Sequence, residues 1–102
     1  MNFSIDRNAQ ATVLRIEGEL DALSAPELRP SIEAIVNEAP KLVVVDLGAL
    51  RMIDSSGVGA IVSLFKRVRA SGGKVTVKGL AGQPLAIFQI LRLDRVFETT
   101  AG

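Results

Sequence analysis

The sequence predicts a single α/β domain over residues 1–102, a mixed β-sheet of four to five strands packed with three to four helices. Three observations carry this expectation. The chain has 102 residues, enough to bury roughly two-thirds of its unfolded surface in one core but not in two. A continuous apolar run, Leu42-Val43-Val44-Val45, with three β-branched valines, ends at Asp46 in the manner of a parallel strand buried on both faces. Around that run, strand-like and helix-like patterns alternate, so the parallel strands are joined by helical crossovers.

Phe3 and Ile5, then Val13 to Ile16 after the polar stretch Asp6 to Gln10, read as two strands joined by a turn. Ser24-Ala25-Pro26-Glu27 matches a capping box with Pro in the first turn, and Leu28, Ile32, Ile35, Val36 and Ala39 continue at helical spacing until Pro40. A second helix is expected from Val58, Ile61, Val62, Phe65 and Val68, ending at Ser71-Gly72-Gly73. Lys74 to Lys78 alternates as a short strand. Leu85, Phe88 and Ile90-Leu91 predict a third helix after Gly79 to Pro84, with Leu93, Val96 and Phe97 closing the core.

Composition removes whole chemistries. The chain has no Cys and no His, so thiol nucleophiles, structural zinc, iron–sulfur clusters and Ser-His-Asp relays are excluded. A formal net charge of +1 and only four Phe give neither the field nor the stacking platform that nucleic-acid binding uses. Without a signal-peptide pattern or an apolar run near 20 residues, a soluble cytoplasmic protein with no membrane insertion is expected. Lys66, Arg67, Arg69, Lys74 and Lys78 form a modest basic group, which reads as a solvated face in preference to a site for an acidic partner or a membrane surface.

One segment combines hydroxyls, a carboxylate and glycines at a helix start: Asp54-Ser55-Ser56-Gly57-Val58-Gly59. Asp and Ser there also serve as an ordinary N-cap. A nucleophile elbow on Ser56 would need Gly where Asp54 and Val58 stand. A P-loop ending at Gly73-Lys74 fails at Val68 and Val75, and a dinucleotide fingerprint fails at Val62. Asp21, Asp46 and Asp54 are conceivable magnesium ligands, but carboxylates at strand ends are more commonly turn and cap residues. No enzyme, metal or cofactor is expected.

Gly18-Glu19-Leu20-Asp21, Val44-Val45-Asp46-Leu47, Ile53-Asp54-Ser55-Ser56-Gly57-Val58-Gly59 and Leu93-Asp94-Arg95-Val96-Phe97, in this order over nearly the whole chain, resemble the STAS domain and its stand-alone anti-sigma factor antagonists in bacteria. The resemblance implies a STAS-like fold and a partner-switching phosphoprotein in transcription regulation. Ser56 matches the serine phosphorylated by an anti-sigma factor that is also a serine kinase; a serine phosphatase resets it. Asp21, Asp54, Ser55, Gly57 and Val58 would line the partner surface. Arg92 departs from the pattern, standing where relatives often carry Gly or a small residue. The wider family also includes a non-enzymatic accessory subunit of a lipid-transport ABC complex, the alternative reading, in which Ser56 is a contact residue without a phosphorylation cycle.

Overall fold

The alternating pattern of the first two strands folds as a hairpin. In the computed structural model, which describes residues 1–100, β1 (Asn2–Arg7) pairs antiparallel with β2 (Thr12–Leu20). Asn8 organises the intervening turn, its side-chain oxygen accepting from the Gln10 and Ala11 N–H groups at 2.8 and 2.9 Å. The chain continues through α1 (Ala25–Asn37), β3 (Leu42–Asp46), β4 (Leu50–Ile53), α2 (Ser55–Ala70), β5 (Lys74–Lys78), α3 (Gly82–Ile90), a 3₁₀ turn at Leu93–Arg95, and β6 (Glu98–Thr100).

The sheet order is β1-β2-β3-β5-β6, and β4 pairs off this path with β2. Every pairing except β1 with β2 is parallel. The five-strand path and three helices match the expected mixed sheet. The sequence reading assigns no element to Leu47–Ile53, whereas the structure forms β4 there, beside the second half of β2, with a register shift inside the pairing, between Gly18 and Glu19.

Side-chain alternation gives the sheet two unlike faces. Leu14, Ile16, Val43, Val45, Val75 and Val77 are buried in one core with Leu28, Ile32 and Ile35 of α1 and with Phe88 of α3. On the opposite face Val13, Leu42, Val44 and Thr76 are only half-buried. The expectation that the valine run is buried on both faces is therefore corrected: the helices cover one face and the other meets solvent.

Two further corrections concern helices. Ser24 precedes α1, but its backbone is already in the helical region (φ −95°, ψ −29°) and its side chain makes no cap bond, so the capping box does not form. On α2 the buried stripe is Val58, Ile61, Leu64 and Val68, while Val62 and Phe65 are half-buried. Near the end of the described chain Phe97 is buried beside Phe65 and Phe88, with ring centroids 4.7 and 5.9 Å away. Val96, Ile90 and Leu91 do not close the core; they are 51%, 73% and 52% exposed.

Candidate functional site

β2 and β4 run parallel and stop at the same level, with Leu20 opposite Ile53. The loops that follow them therefore emerge side by side, at the carboxyl edge where α/β sheets carry their sites. One loop holds Asp21; the other begins at Asp54.

Asp21 folds its loop by an Asx-type turn: its Oδ1 accepts from the N–H groups of Leu23 (3.1 Å) and Ser24 (3.0 Å). The Ser24 hydroxyl accepts from the Asp21 N–H at 2.9 Å, and its one proton lies between two acceptors, the Glu19 carbonyl oxygen at 3.0 Å and Asp21 Oδ1 at 3.1 Å. The bonds from the Ser24 N–H and hydroxyl hold the Asp21 carboxyl below its ordinary value. Leu23, at the tip of this turn, is 89% exposed.

Asp54 is the N-cap of α2, with an extended backbone (φ −112°, ψ −173°). Its Oδ1 accepts from the Gly57 N–H at 3.0 Å, satisfying one of the free donors of the first turn. Its Oδ2 accepts from the Ala22 N–H at 3.0 Å, so one carboxylate ties the two loops together. Because Asp54 is the cap, Ser55 and Ser56 fall in the first helical turn, exposed, and among the described residues neither hydroxyl has a hydrogen-bond partner.

Gly57 and Val58 are buried beneath this surface, Val58 at 7% exposure. A Cβ on Gly57 would come within 2.6 Å of the Leu20 carbonyl oxygen and 2.7 Å of the Ile53 side chain. Glycine at 57 is thus what lets α2 start this close to the ends of β2 and β4. The structure therefore brings Asp21, Asp54, Ser55 and Ser56 together at the surface, whereas Gly57 and Val58, expected to line the partner surface, are buried, Val58 in the hydrophobic core.

From Ser56 a groove of about 400 Å³ runs between α1 and α2. Small residues, Ala22, Ala25, Gly59 and Ala60, keep it open beside the serine, and Arg29 and the Glu33–Arg67 pair line the rest. Arg67 grips Glu33 with two bonds of 2.6 and 2.8 Å, which joins the helices at that end. This wall of the groove was not legible in the sequence, since nothing in Ala22-Leu23-Ser24-Ala25 marks it as facing Ser56.

The other carboxylate considered in the sequence lies apart. Asp46 accepts from the Gly48 N–H at 3.0 Å and from Arg15 Nε at 3.1 Å, with Lys78 Nζ 3.8 Å away. Burial alone would raise its pKa; these bonds and the two cations outweigh it and hold the carboxyl low. Among the described residues no three acidic side chains gather where they could hold a metal ion. Within the basic group Arg67 pairs with Glu33, Lys78 with Asp46, and Arg69 lies over the Phe65 ring, 5.5 Å from its centroid.

The STAS domain family matches residues 2–101. The chain belongs to that family. As a STAS domain it is 29% identical, over 99% of its length and 94% of the relative's, to the anti-sigma-B factor antagonist of Bacillus subtilis. Its fold is that of an anti-sigma factor antagonist from Mycobacterium paratuberculosis, with a TM-score of 0.89, 22% identity, and coverage of 99% of this chain and 86% of the other. It is likewise that of the phosphorylated form of the Bacillus cell fate determinant SpoIIAA, with a TM-score of 0.77, 20% identity, and coverage of 98% and 92%. Among the described residues no helix is long and apolar enough to cross a membrane.

Proposed function

We propose that this STAS domain is an anti-sigma factor antagonist, a non-enzymatic binding module switched by phosphorylation of Ser56. The observation that carries the proposal is the division of labour at the start of α2. Asp54 does the capping, so the exposed Ser56 hydroxyl is not consumed by the fold. Similarity to the antagonists over nearly the whole chain gives the class of partner.

In this reading an anti-sigma factor with serine kinase activity docks on the surface formed by Asp21, Asp54, Ser55 and Ser56, while the buried Gly57 and Val58 seat the start of α2 beneath it. Binding withdraws the anti-sigma factor from its sigma factor. The partner brings ATP and the catalytic groups; this chain supplies the acceptor. The Ser56 oxygen forms a bond to the γ-phosphorus, the bond to the β-phosphate oxygen breaks, ADP leaves, and the hydroxyl proton passes to the partner or to water. A serine phosphatase reverses the state by hydrolysis.

The physical effect is a change of charge on a fixed scaffold. Phosphoserine carries about −1.5 to −2 charge at neutral pH. Within the domain, the first-turn N–H groups and helix dipole of α2 favour that charge while neighbouring Asp54 and Asp21 oppose it. Across an interface, the phosphate must be desolvated against a surface fitted to a serine. The test is incubation with the cognate kinase and ATP, followed by mass spectrometric mapping. Phosphate on Ser56 is expected. Phosphate found only elsewhere, or co-purification with a transport ATPase in place of an anti-sigma factor, overturns the proposal.

A further inference from the structure

β4 has only four residues, and on one edge it pairs with β2. A strand this short with an open second edge would leave the backbone just before Asp54 weakly held. That second edge is closed by a side chain. The Gln83 amide lies against Ile53 like the peptide group of a neighbouring strand: Ile53 N–H donates to Gln83 Oε1 at 2.9 Å, and Gln83 Nε2 donates to the Ile53 carbonyl oxygen at 2.9 Å. Only this orientation of the amide satisfies both bonds, so the assignment of its oxygen and nitrogen is fixed by the pair.

Gln83 is itself held in place. It sits in the first turn of α3, between Gly82, whose φ of +57° is a left-handed conformation, and buried Pro84. On the other side of the same segment the Asp54 N–H donates to the Leu20 carbonyl oxygen at 3.1 Å. The peptides of Ile53 and Asp54 are thus gripped from β2 and from α3 at once. One residue later the Asp54 carboxylate caps α2 and reaches Ala22.

We propose that Gln83 is a positioning residue for the Ser56 switch: its two bonds to Ile53 fix the backbone from which Asp54 caps α2 and so hold Ser56 in the geometry its kinase reads. The inference rests on Ser56 being the phospho-acceptor. It makes α3, which contributes no residue to the phosphorylated surface, part of the switch. Asp54 fixes the helix start, and Gln83 fixes Asp54.

Gln83→Met keeps the length and bulk of the side chain and removes both bonds. Amide hydrogen exchange of the unmodified domain and of this variant, read residue by residue, separates local from global effects. The Ile53 amide is expected to lose protection by about tenfold, the scale of one or two such bonds, with smaller losses at Ala22 and Gly57. The Val43 and Val45 amides of β3 should keep theirs. Gln83→Glu, which retains an acceptor for the Ile53 N–H but no donor for its carbonyl, should fall between wild type and Met at Ile53. With the kinase, the rate of Ser56 phosphorylation at saturating ATP should fall in the same order.

Unchanged exchange at Ile53 in the Met variant overturns the clamp, as does a loss spread equally over β3. Local loss with phosphorylation unaffected in both variants overturns the link to the switch. If wild type takes no phosphate on Ser56, the functional reading fails and the switch role fails with it, whereas the exchange data still decide whether the clamp exists.

Discussion

Asp54 and Ala22 are 32 positions apart in sequence, yet the Asp54 carboxylate accepts the Ala22 N–H at 3.0 Å while its other oxygen accepts the Gly57 N–H at 3.0 Å. One side chain thereby caps α2 and fastens the Asp21 turn to its start. The surface around Ser56 is a consequence of those two hydrogen bonds.

Replacing Asp54 separates the two functions. Asp54→Ala removes both acceptors and should lower stability by about 2 kcal/mol, the cap alone contributing about 1. Asp54→Asn can still cap through its oxygen but turns an NH₂ group toward the Ala22 N–H, so about half of that loss is expected. Urea denaturation of both variants measures the order; an Asn variant less stable than Ala would contradict it.

The glycines of the motif should behave oppositely. A Cβ at 57 has no room, whereas at Gly59 nothing lies within 4 Å. Gly57→Ala should therefore destabilise by about 1–3 kcal/mol through forced displacement of α2. Gly59→Ala should stabilise by up to about 1 kcal/mol through helix propensity. Since Gly59 lines the groove beside Ser56, the same Gly59→Ala variant should bind the partner less well despite its higher melting temperature. Calorimetric melting and partner titration together check both halves.

Arg92 has φ +58° and ψ +26°, a left-handed conformation that costs a residue with a Cβ about 1 kcal/mol. Arg92→Gly should raise stability by up to that amount, reduced by the greater freedom of glycine in the unfolded chain. Melting curves at one ionic strength are sufficient; a lower melting temperature would show that the Arg side chain contributes more than its backbone costs.

These residues also show what the sequence conveys. The start of α2 at Asp54–Ser56 was visible because its cap acts locally, and the start of α1 because of Pro26 in its first turn, although Ser24 caps nothing. The oddity of Arg92 before Leu93-Asp94-Arg95 was visible because the position favours glycine, and its backbone angle gives the reason. β4 was not visible: Leu50 and Ile53 are buried while Arg51 and Met52 are exposed, an i, i+3 spacing that suits a helix face and not the two-residue alternation of a strand. Its partners, β2 around the Gly18/Glu19 register shift and Gln83, are distant in sequence. Nor could the run Leu42 to Val45 reveal a half-open sheet face, because β-branched residues fit a pleated surface whether one or both faces are covered.

Stability should fall in acid. The Asp21 carboxyl is held low by the Ser24 N–H and hydroxyl, and the Asp46 carboxyl is held low, against its burial, by Gly48, Arg15 and Lys78. For a group whose folded pKa lies below its unfolded one, the stabilisation is present above the unfolded value and disappears as pH falls through the folded value. Melting temperature should thus decline from about pH 4 downward. The decline should be shallower in Asp46→Asn, whose amide does not titrate; identical slopes would exclude Asp46 as a source.

The central claim is that phosphate on Ser56 changes what the surface binds and not whether the domain folds. The most direct measurement compares melting and anti-sigma factor affinity for the Ser56-phosphorylated and unmodified proteins, with Ser56→Ala as control. Because Asp54 and not Ser56 is the cap, the Ala variant should melt within a few degrees of wild type and bind the partner with or without ATP. The phosphorylated form should also melt within a few degrees of the unmodified form, while its affinity falls by about 100-fold or more. Affinity unchanged by phosphate, or a melting temperature lowered by tens of degrees with affinity lost only in proportion to unfolding, would contradict the account.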